Sequence, residues 1–283
     1  MSDESYLQTF IQRLLEEDVG AGDYSSLACI PAGTTGKSVL KVKESGMLAG
    51  VFVAKSIFKY LDAEMEMHQF MNDGDFMKPG DIAFEITGNV HALLKGERLA
   101  LNCMQRMSGI ATLTNKYVQK LSGYHTRLLD TRKTTPGLRF LEKAAVRTGG
   151  GYNHRMGLFD MIMLKDNHID FCGGITQAIE KADQYLKKNN LKLPVEVEVR
   201  TLEDVREVMK IGKVDRIMFD NFSTERTAEA VKMVGGKYET ESSGNITLDT
   251  IESYAGTGVD FVSTGAITHH AVSLDLSLKA TFS

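Results

Sequence analysis

The length, composition and charge of the chain limit the kinds of protein it can be. At 283 residues, 42% of them hydrophobic, it exceeds the roughly 100 to 200 residues of a single domain, so we expect two domains or a barrel with an appendage. Its 33 basic and 37 acidic residues give a net charge of -4. This balance argues against a nucleic acid or an anionic membrane as partner and favours a small molecule.

The cysteines and the apolar runs bear on the compartment. Cys29, Cys103 and Cys172 are odd in number and far apart, which argues against a disulfide framework or a zinc site and favours reduced thiols. The first residues are acidic where a secretory signal would be basic, and no apolar run approaches the ~20 residues of a membrane span. We therefore expect a soluble protein of the cytoplasm.

The first hundred residues predict a small α+β domain. Apolar residues at helical spacing predict a helix over 5–17, which a glycine-rich turn ends. Alternating stretches at 38–42 and 82–86 predict hairpin strands around a helix over 54–61. Apolar residues then recur every three or four positions over 93–121 and predict a long helix that links to a second domain.

Short strands alternate with helices in the rest of the chain. The predicted strands cover 126–129, 161–164, 195–199, 216–219, 237–242 and 260–263. Between two of them, Thr201 and Asp204 form a capping-box-like signal for a helix start. Such alternation is typical of a parallel α/β sheet, and at least six units favour a barrel over an open sheet.

Basic residues are concentrated between positions 127 and 168, where eight basic side chains accompany four acidic ones. Arg132 and Lys133 directly follow a predicted strand and Lys165 ends another, so we expect them at the carboxyl rim where barrel active sites lie. A solvated surface is the alternative for any one of these residues. Taken together, the segment predicts an anion-binding site.

Carboxylates are predicted inside the barrel. In the strand 195–199 the side chains alternate, so Glu196 and Glu198 both point to the interior. Buried carboxylates require a metal, a basic partner or a proton. Asp220 ends the next strand, and with Glu196 it could hold a Mg²⁺ that binds substrate phosphates. An ion pair with an internal base is the alternative, more credible for Glu198 than for Asp220.

The last two predicted strands each run into a loop of small residues. Ser242 to Asn245 precede one helix, and Ser263 to Ala266 precede another. Loops after the final strands of a barrel, with backbone N–H groups at helix starts, often bind phosphate. Two such loops in succession predict a phosphate site.

These motifs resemble the quinolinate phosphoribosyltransferase family over residues 96–269. The resemblance rests on Gly96–Asn102, Asp130–Arg139, Ala145–Gly151, Asn153–Arg155, Leu164–His168, Glu196–Val199, Asp220–Asn221, Glu241–Gly244 and Gly265–His269. It implies an α/β protein of the type II phosphoribosyltransferase fold. An N-terminal α/β sandwich (1–104) would be joined to an incomplete α/β barrel (105–270), with the tail 271–283 returning to the first domain.

The resemblance also implies roles for particular residues. Arg132, Lys133, His154, Arg155 and Lys165 would face quinolinate, supported by Thr131 and by Arg98 from a neighbouring subunit of a homodimer or larger assembly. Glu196 and Asp220 would hold Mg²⁺ and ribose, and with Lys133 and Lys165 they form the proposed catalytic group. Phosphate would meet the backbone of Ser243, Gly244, Gly265 and Ala266, with His269 nearby. Asn245 stands for a frequent second glycine and His270 for a frequent serine, so the phosphate loops depart from the family pattern at these two positions.

The implied reaction is transfer of phosphoribosyl from phosphoribosyl pyrophosphate to quinolinate, a pentosyl transfer of de novo NAD biosynthesis. It yields nicotinate mononucleotide, CO₂ and pyrophosphate, requires Mg²⁺ and uses no organic cofactor. Three alternatives stay open: a paralogue acting on nicotinate or another anion, an aldolase that uses Lys165 as a Schiff-base amine, and a ligand-binding relative without activity.

Overall fold

The computed structural model describes residues 3–281, and the chain divides into two compact units. The first comprises the chain up to Leu113, the segment Phe140–Gly149 and the chain from Ala271; the second comprises Thr114–Arg139 and Gly150–His270. The sequence places a domain boundary after residue 104, inside a helix that continues to Lys120. Residues 105–113 and 140–149, which the sequence places in the barrel, belong to the first unit.

The first unit combines helices with a four-stranded antiparallel sheet. Its helices include α1 (Asp3–Val19), α2 (Tyr24–Cys29), α3 (Val51–Leu61) and most of α4 (Val90–Lys120). Its strands are β1 (Thr35–Val42), β2 (Gly46–Met47), β3 (Glu66–Gln69), β4 (Phe76–Met77), β5 (Ile82–Asn89) and β12 (Leu276–Thr281). The sheet order is β12-β1-β5-β3, and β2 pairs with β4. The predicted helices and the two predicted strands are confirmed, whereas the sequence missed α2, β2, β3, β4 and β12.

The C-terminal tail forms part of this unit. Strand β12 pairs with β1 along Lys37–Val42, and the Gln105 side chain donates a hydrogen bond to the carbonyl of Leu276 at 3.1 Å. Gly109 explains how α4 meets the tail, because a Cβ at this position would collide with the carbonyl of Val272. The glycine that weakens the helix pattern therefore permits close packing.

The second unit is built on a six-stranded parallel sheet. Its strands are β6 (Arg127–Leu129), β7 (Ile162–Leu164), β8 (Val195–Val199), β9 (Arg216–Asp220), β10 (Glu239–Ser243) and β11 (Phe261–Ser263). Their order is β6-β11-β10-β9-β8-β7, so the sheet is an incomplete barrel whose edge strands are β6 and β7 among the described residues. The predicted α/β barrel class is confirmed, with strand ends shifted by at most two residues.

One or two helices follow each of these strands along the chain, and the first of these helices lies almost entirely in the first unit. They are α5 (Arg139–Thr148), α6 (Asp166–Cys172), α7 (Ile175–Lys188), α8 (Leu202–Ile211), α9 (Thr224–Val234), α10 (Ile251–Ala255) and α11 (Ala266–His269). The predicted capping box begins α8, where the Thr201 hydroxyl accepts from the N–H of Asp204 at 3.1 Å and the Asp204 carboxylate accepts from the N–H of Thr201 at 2.9 Å. Across residues 3–281, no helix is both long and apolar enough to cross a membrane.

Candidate active site

A cavity of about 520 Å³ lies at the carboxyl ends of the parallel strands of the second unit. The lining residues come from strand ends and from the loops that follow them, which is where the active sites of parallel α/β proteins lie. They are Thr131, Arg132, Lys133, His154, Arg155, Met163, Lys165, Glu198, Met218, Asp220, Asn221, Ser243, Gly244 and Asn245.

The lining is rich in positive charge. Arg132, Lys133, Arg155 and Lys165 face Glu198 and Asp220, so basic groups outnumber carboxylates even before His154 is counted. Burial and the neighbouring charge of Arg132 lower the pKa of the Arg155 guanidinium, but a guanidinium stays protonated in proteins at neutral pH. The cavity is therefore suited to a ligand with several negative charges.

Arg139 holds the loop after β6 in place. Its guanidinium donates to the Thr134 hydroxyl at 3.0 Å and to the Met156 carbonyl at 3.1 Å. On the other side of the loop, the Thr268 hydroxyl donates to the carbonyl of Lys133 at 2.9 Å. These contacts fix the backbone that carries Arg132 and Lys133, so the two cations are presented from an ordered loop.

The segment that carries His154 and Arg155 is fixed by a buried acid. The carboxylate of Asp130 accepts hydrogen bonds from the Asn153 amide at 2.6 Å and from the N–H of His154 at 2.8 Å. Asp130 itself is fully buried at the end of β6. Its role is to orient the chain that places two basic groups on the cavity wall.

A buried charge cluster lies behind His154. Its Nε2 is 3.0 Å from the Glu196 carboxylate and 3.5 Å from that of Glu241, while Arg216 contacts Glu241 at 2.9 Å. Burial opposes protonation of His154, but hydrogen bonds with the two glutamates outweigh it and raise its pKa to about 9. Burial and the charge of Glu241 raise the pKa of Glu196 to about 7. Burial also acts against the charge of Glu241, but His154 and Arg216 outweigh it and lower its pKa.

Glu196 and Glu198 occupy different surroundings although both point inward. Glu196 is completely buried against His154, whereas Glu198 lines the cavity together with Asp220. Burial raises the pKa of Glu198, and the nearby Lys165 ammonium partly offsets this. Glu198, and not Glu196, therefore lies on the cavity wall with Asp220, where both carboxylates are accessible to a ligand. Glu198 also forms an ion pair with Lys165, which is the alternative that the sequence left open for it.

The structure brings most, but not all, of the predicted site residues to this cavity. Nine line it: Thr131, Arg132, Lys133, His154, Arg155, Lys165, Asp220, Ser243 and Gly244. Arg98 lies exposed on α4 in the first unit. Gly265, Ala266 and His269 form the turn into α11 beside Lys133, since a Cβ on Gly265 would lie 2.9 Å from Lys133 Cδ and 3.0 Å from the His269 ring.

Sequence reasoning missed three lining residues, Met163, Met218 and Asn221. Met218 lies two positions before Asp220 on β9 and therefore shares its face, so strand alternation could have found it. Met163 likewise lies two positions before Lys165, so the same alternation could have found it. Asn221 has no comparable signal, because an asparagine after a strand is ordinarily a turn.

A partial α/β barrel with a cationic cavity at its carboxyl rim defines an enzyme class that acts on polyanionic substrates. Residues 110–279 match the family model for "Quinolinate phosphoribosyl transferase, C-terminal domain", and residues 23–108 match the corresponding N-terminal domain. The chain belongs to the quinolinate phosphoribosyltransferase family.

Individual relatives agree with this assignment. The chain is 43% identical to the chloroplastic nicotinate-nucleotide pyrophosphorylase [carboxylating] of Arabidopsis thaliana, over 96% of this chain and 82% of that protein. It is 42% identical to the probable enzyme of the same name from Bacillus subtilis, over 98% and 94%. Its fold superposes on the crystal structure of NadC from Streptococcus pyogenes with a TM-score of 0.93 and 42% identity, over 100% and 99% of the two chains.

Proposed function

We propose that this protein is a quinolinate phosphoribosyltransferase (decarboxylating), which converts quinolinate and phosphoribosyl pyrophosphate to nicotinate mononucleotide, CO₂ and pyrophosphate in NAD biosynthesis. The observation that carries the proposal is the convergence of Arg132, Lys133, Arg155 and Lys165 on one cavity. Quinolinate brings two carboxylates, and its partner brings a phosphate and a pyrophosphate. A substrate pair of this charge requires several fixed cations, and relatives named quinolinate phosphoribosyltransferase [decarboxylating] are 42–43% identical.

The chemistry needs no nucleophile from the protein. As the bond between ribose C1 and pyrophosphate breaks, positive charge develops on the ribose and negative charge on the leaving group, which fixed cations stabilise. The pyridine nitrogen bonds to C1 and becomes cationic. When the 2-carboxylate leaves as CO₂, its bonding electron pair stays on C2, where the adjacent cationic nitrogen stabilises it, and a proton from solvent then bonds to C2. The protein binds the two substrates, aligns nitrogen with C1 and supplies the positive field, so no organic cofactor is required.

Mg²⁺ fits the acidic part of the cavity. Glu198 and Asp220 offer carboxylate oxygens at the wall, and this hard ion prefers oxygen ligands shared with substrate phosphates and water. Glu196 fits less well, because it is fully buried and in contact with His154. We therefore assign the ligands as Glu198 and Asp220, partly through substrate. A bound Mg²⁺ would neutralise charge on the departing pyrophosphate.

The aldolase alternative is disfavoured by the surroundings of Lys165. Its Nζ lies 3.3 Å from the Glu198 carboxylate and is engaged in a salt bridge. A Schiff-base lysine must instead lose its proton to attack a carbonyl. The arrangement therefore suits an electrostatic role.

Two further parts of the proposal stand on the sequence. A homodimer or larger assembly with shared sites rests on the family resemblance, and a cytoplasmic location rests on cysteine usage and composition. Size measurement by light scattering and localisation of a tagged chain test them separately from the activity.

A single incubation tests the activity. The protein is mixed with quinolinate, phosphoribosyl pyrophosphate and Mg²⁺ while CO₂ and pyrophosphate are recorded, and nicotinate replaces quinolinate in a parallel reaction. We expect equal amounts of CO₂ and nicotinate mononucleotide from quinolinate and little product from nicotinate, because a second carboxylate is needed to match the cations. Comparable turnover of nicotinate would assign the chain to the paralogue instead.

A further inference from the structure

Three polar side chains form a line along one wall of the cavity. The Asn221 amide donates to the Asp220 carboxylate at 2.9 Å, and the Asn245 amide donates to Asn221 Oδ1 at 3.0 Å. All three residues line the cavity. The line joins the loop after β9 to the loop after β10, and it ends on the carboxylate to which we assign Mg²⁺ and substrate.

The chemistry of the groups fixes the direction of this line. A carboxylate only accepts hydrogen bonds, so Asn221 must turn its NH₂ group to Asp220. The Asn221 carbonyl oxygen then faces away from Asp220, and it needs a donor. Asn245 must therefore present its own NH₂ group. The orientation of both amides follows from the acceptor at the end of the line.

The backbone at this wall is held in an uncommon conformation. Asn221 and Asn245 have φ angles of 55° and 53°, in the left-handed region that asparagine and glycine tolerate best. Gly244 has a φ of 98°, and a Cβ there would collide with Asn221 Oδ1 and lie 3.0 Å from the Asn221 nitrogen. The N–H of Asn221 also donates to the Ser243 carbonyl at 2.8 Å. The two loops are thus in close contact where the amides meet.

We infer that Asn245 is a positioning residue for Asp220, acting through Asn221. Asn245 fixes the amide of Asn221, and Asn221 fixes the direction of the Asp220 carboxylate at the cavity wall. The consequence for binding rests on the proposed function, because Asp220 is assigned there to Mg²⁺ and phosphoribosyl pyrophosphate. We expect Asn245 to affect the binding of phosphoribosyl pyrophosphate and not that of quinolinate. The basic side chains proposed to bind quinolinate make none of the hydrogen bonds that join Asn245, Asn221 and Asp220.

Asn245→Gly is the variant that separates the side chain from the backbone. Glycine adopts positive φ readily, so the loop keeps its path while the amide is lost. Asn190→Gly is the matched control, because Asn190 also has a positive φ, 52°, but follows α7 outside the cavity lining. Losing one hydrogen bond of ordinary strength predicts a rise of about three- to tenfold in the KM for phosphoribosyl pyrophosphate. We expect kcat, the KM for quinolinate and the melting temperature to change little, and the control to match the parent.

A second variant tests whether the effect passes through Asn221. With Asn221→Gly in place the line is already broken, so adding Asn245→Gly should raise the KM no further, a non-additivity that independent roles would not give. An unchanged KM in Asn245→Gly, or additive effects in the pair, would overturn the inference.

Crystal structures of the parent and of Asn245→Gly without substrate give a readout that does not depend on activity. We expect one Asp220 rotamer in the parent and several in the variant. A single unchanged rotamer in both would also overturn the inference, whatever reaction the protein catalyses.

Discussion

The ammonium of Lys165 lies 3.3 Å from the carboxylate of Glu198, and both groups line the cationic cavity. Lys165 follows β7 and is 46% exposed, whereas Glu198 on the neighbouring β8 is 9% exposed. The buried Glu198 carboxylate thus fixes the position of the Lys165 ammonium, and the ammonium stays accessible from the cavity. Since the protein needs no nucleophile for the proposed reaction, this contact indicates that Lys165 acts as a fixed cation.

Replacement of Lys165 should therefore reduce turnover through the loss of charge. We expect Lys165→Ala to lower kcat/KM for quinolinate by about 100-fold, the order seen when one preorganised donor is removed. Lys165→Arg, which keeps the charge, should retain more activity than Lys165→Ala in steady-state assays. Borohydride treatment of the parent with a carbonyl substrate should leave the mass of the protein unchanged. A trapped adduct on Lys165 would place the protein with the aldolases.

The carboxylates of the barrel should differ in what they contribute. Asp220→Asn and Glu198→Gln keep the size of the side chain but replace a charged carboxylate with a neutral amide, which is a weaker ligand for Mg²⁺. We therefore expect each to weaken Mg²⁺-dependent binding of phosphoribosyl pyrophosphate in calorimetry. Glu196→Gln is the matched comparison, because Glu196 is buried against His154. It should alter stability and leave the Mg²⁺ dependence close to that of the parent. The reverse ranking of Glu196 and Glu198 would restore the assignment made from sequence.

The fold was largely predictable because its signals are local. Helical spacing marks α4, and alternating or apolar runs between turn residues mark the six strands of the parallel sheet. The assignment of 140–149 to the first unit was not predictable. Arg106 on α4 contacts Glu142 of α5 at 2.9 Å and donates to the carbonyl of Ala271 at 2.9 Å. Contacts between residues this distant in sequence leave no periodic pattern in the chain.

The site was predictable as far as strand ends determine position. Arg132, Lys165 and Asp220 follow or end strands of one parallel sheet, so their convergence at one rim follows from topology. Glu198 could also have been preferred to Glu196 from the sequence, because both lie on the same face of β8 but Glu198 is two residues nearer its carboxyl end, where the cavity lies. In the sequence, Asn245 is only a residue that departs from the family pattern of the phosphate loop. Its hydrogen bond to Asn221 is a tertiary contact, which no local pattern predicts.

The buried cluster around His154 should make stability depend on pH. The folded-state pKa of His154 is raised from 6.5 to about 9, so its contribution is fully present below pH 6.5 and is lost as pH rises to about 9. Glu196, raised from 4.5 to about 7, acts in the same direction between those two values. We expect the melting temperature to fall from pH 6.5 to pH 9, and His154→Gln to flatten that slope. His270→Gln, an exposed histidine outside the cluster, serves as the control. A parental slope retained in His154→Gln would show that the cluster does not control it.

Arg98 tests whether sites are shared between subunits. It is exposed on α4 in the first unit, and the family resemblance implies that it completes the site of a neighbouring subunit. We expect Arg98→Ala and Asp220→Ala to be inactive alone and to recover activity when co-expressed. If subunits pair at random in a dimer, half of the dimers are hybrids, and each hybrid has one site with both defects and one with neither. Roughly a quarter of the parental activity should then return.

Differently tagged chains confirm the mixing, and melting curves confirm that each variant is folded. Sites built within one subunit would recover nothing, so confirmed hybrids that stay inactive would exclude sharing.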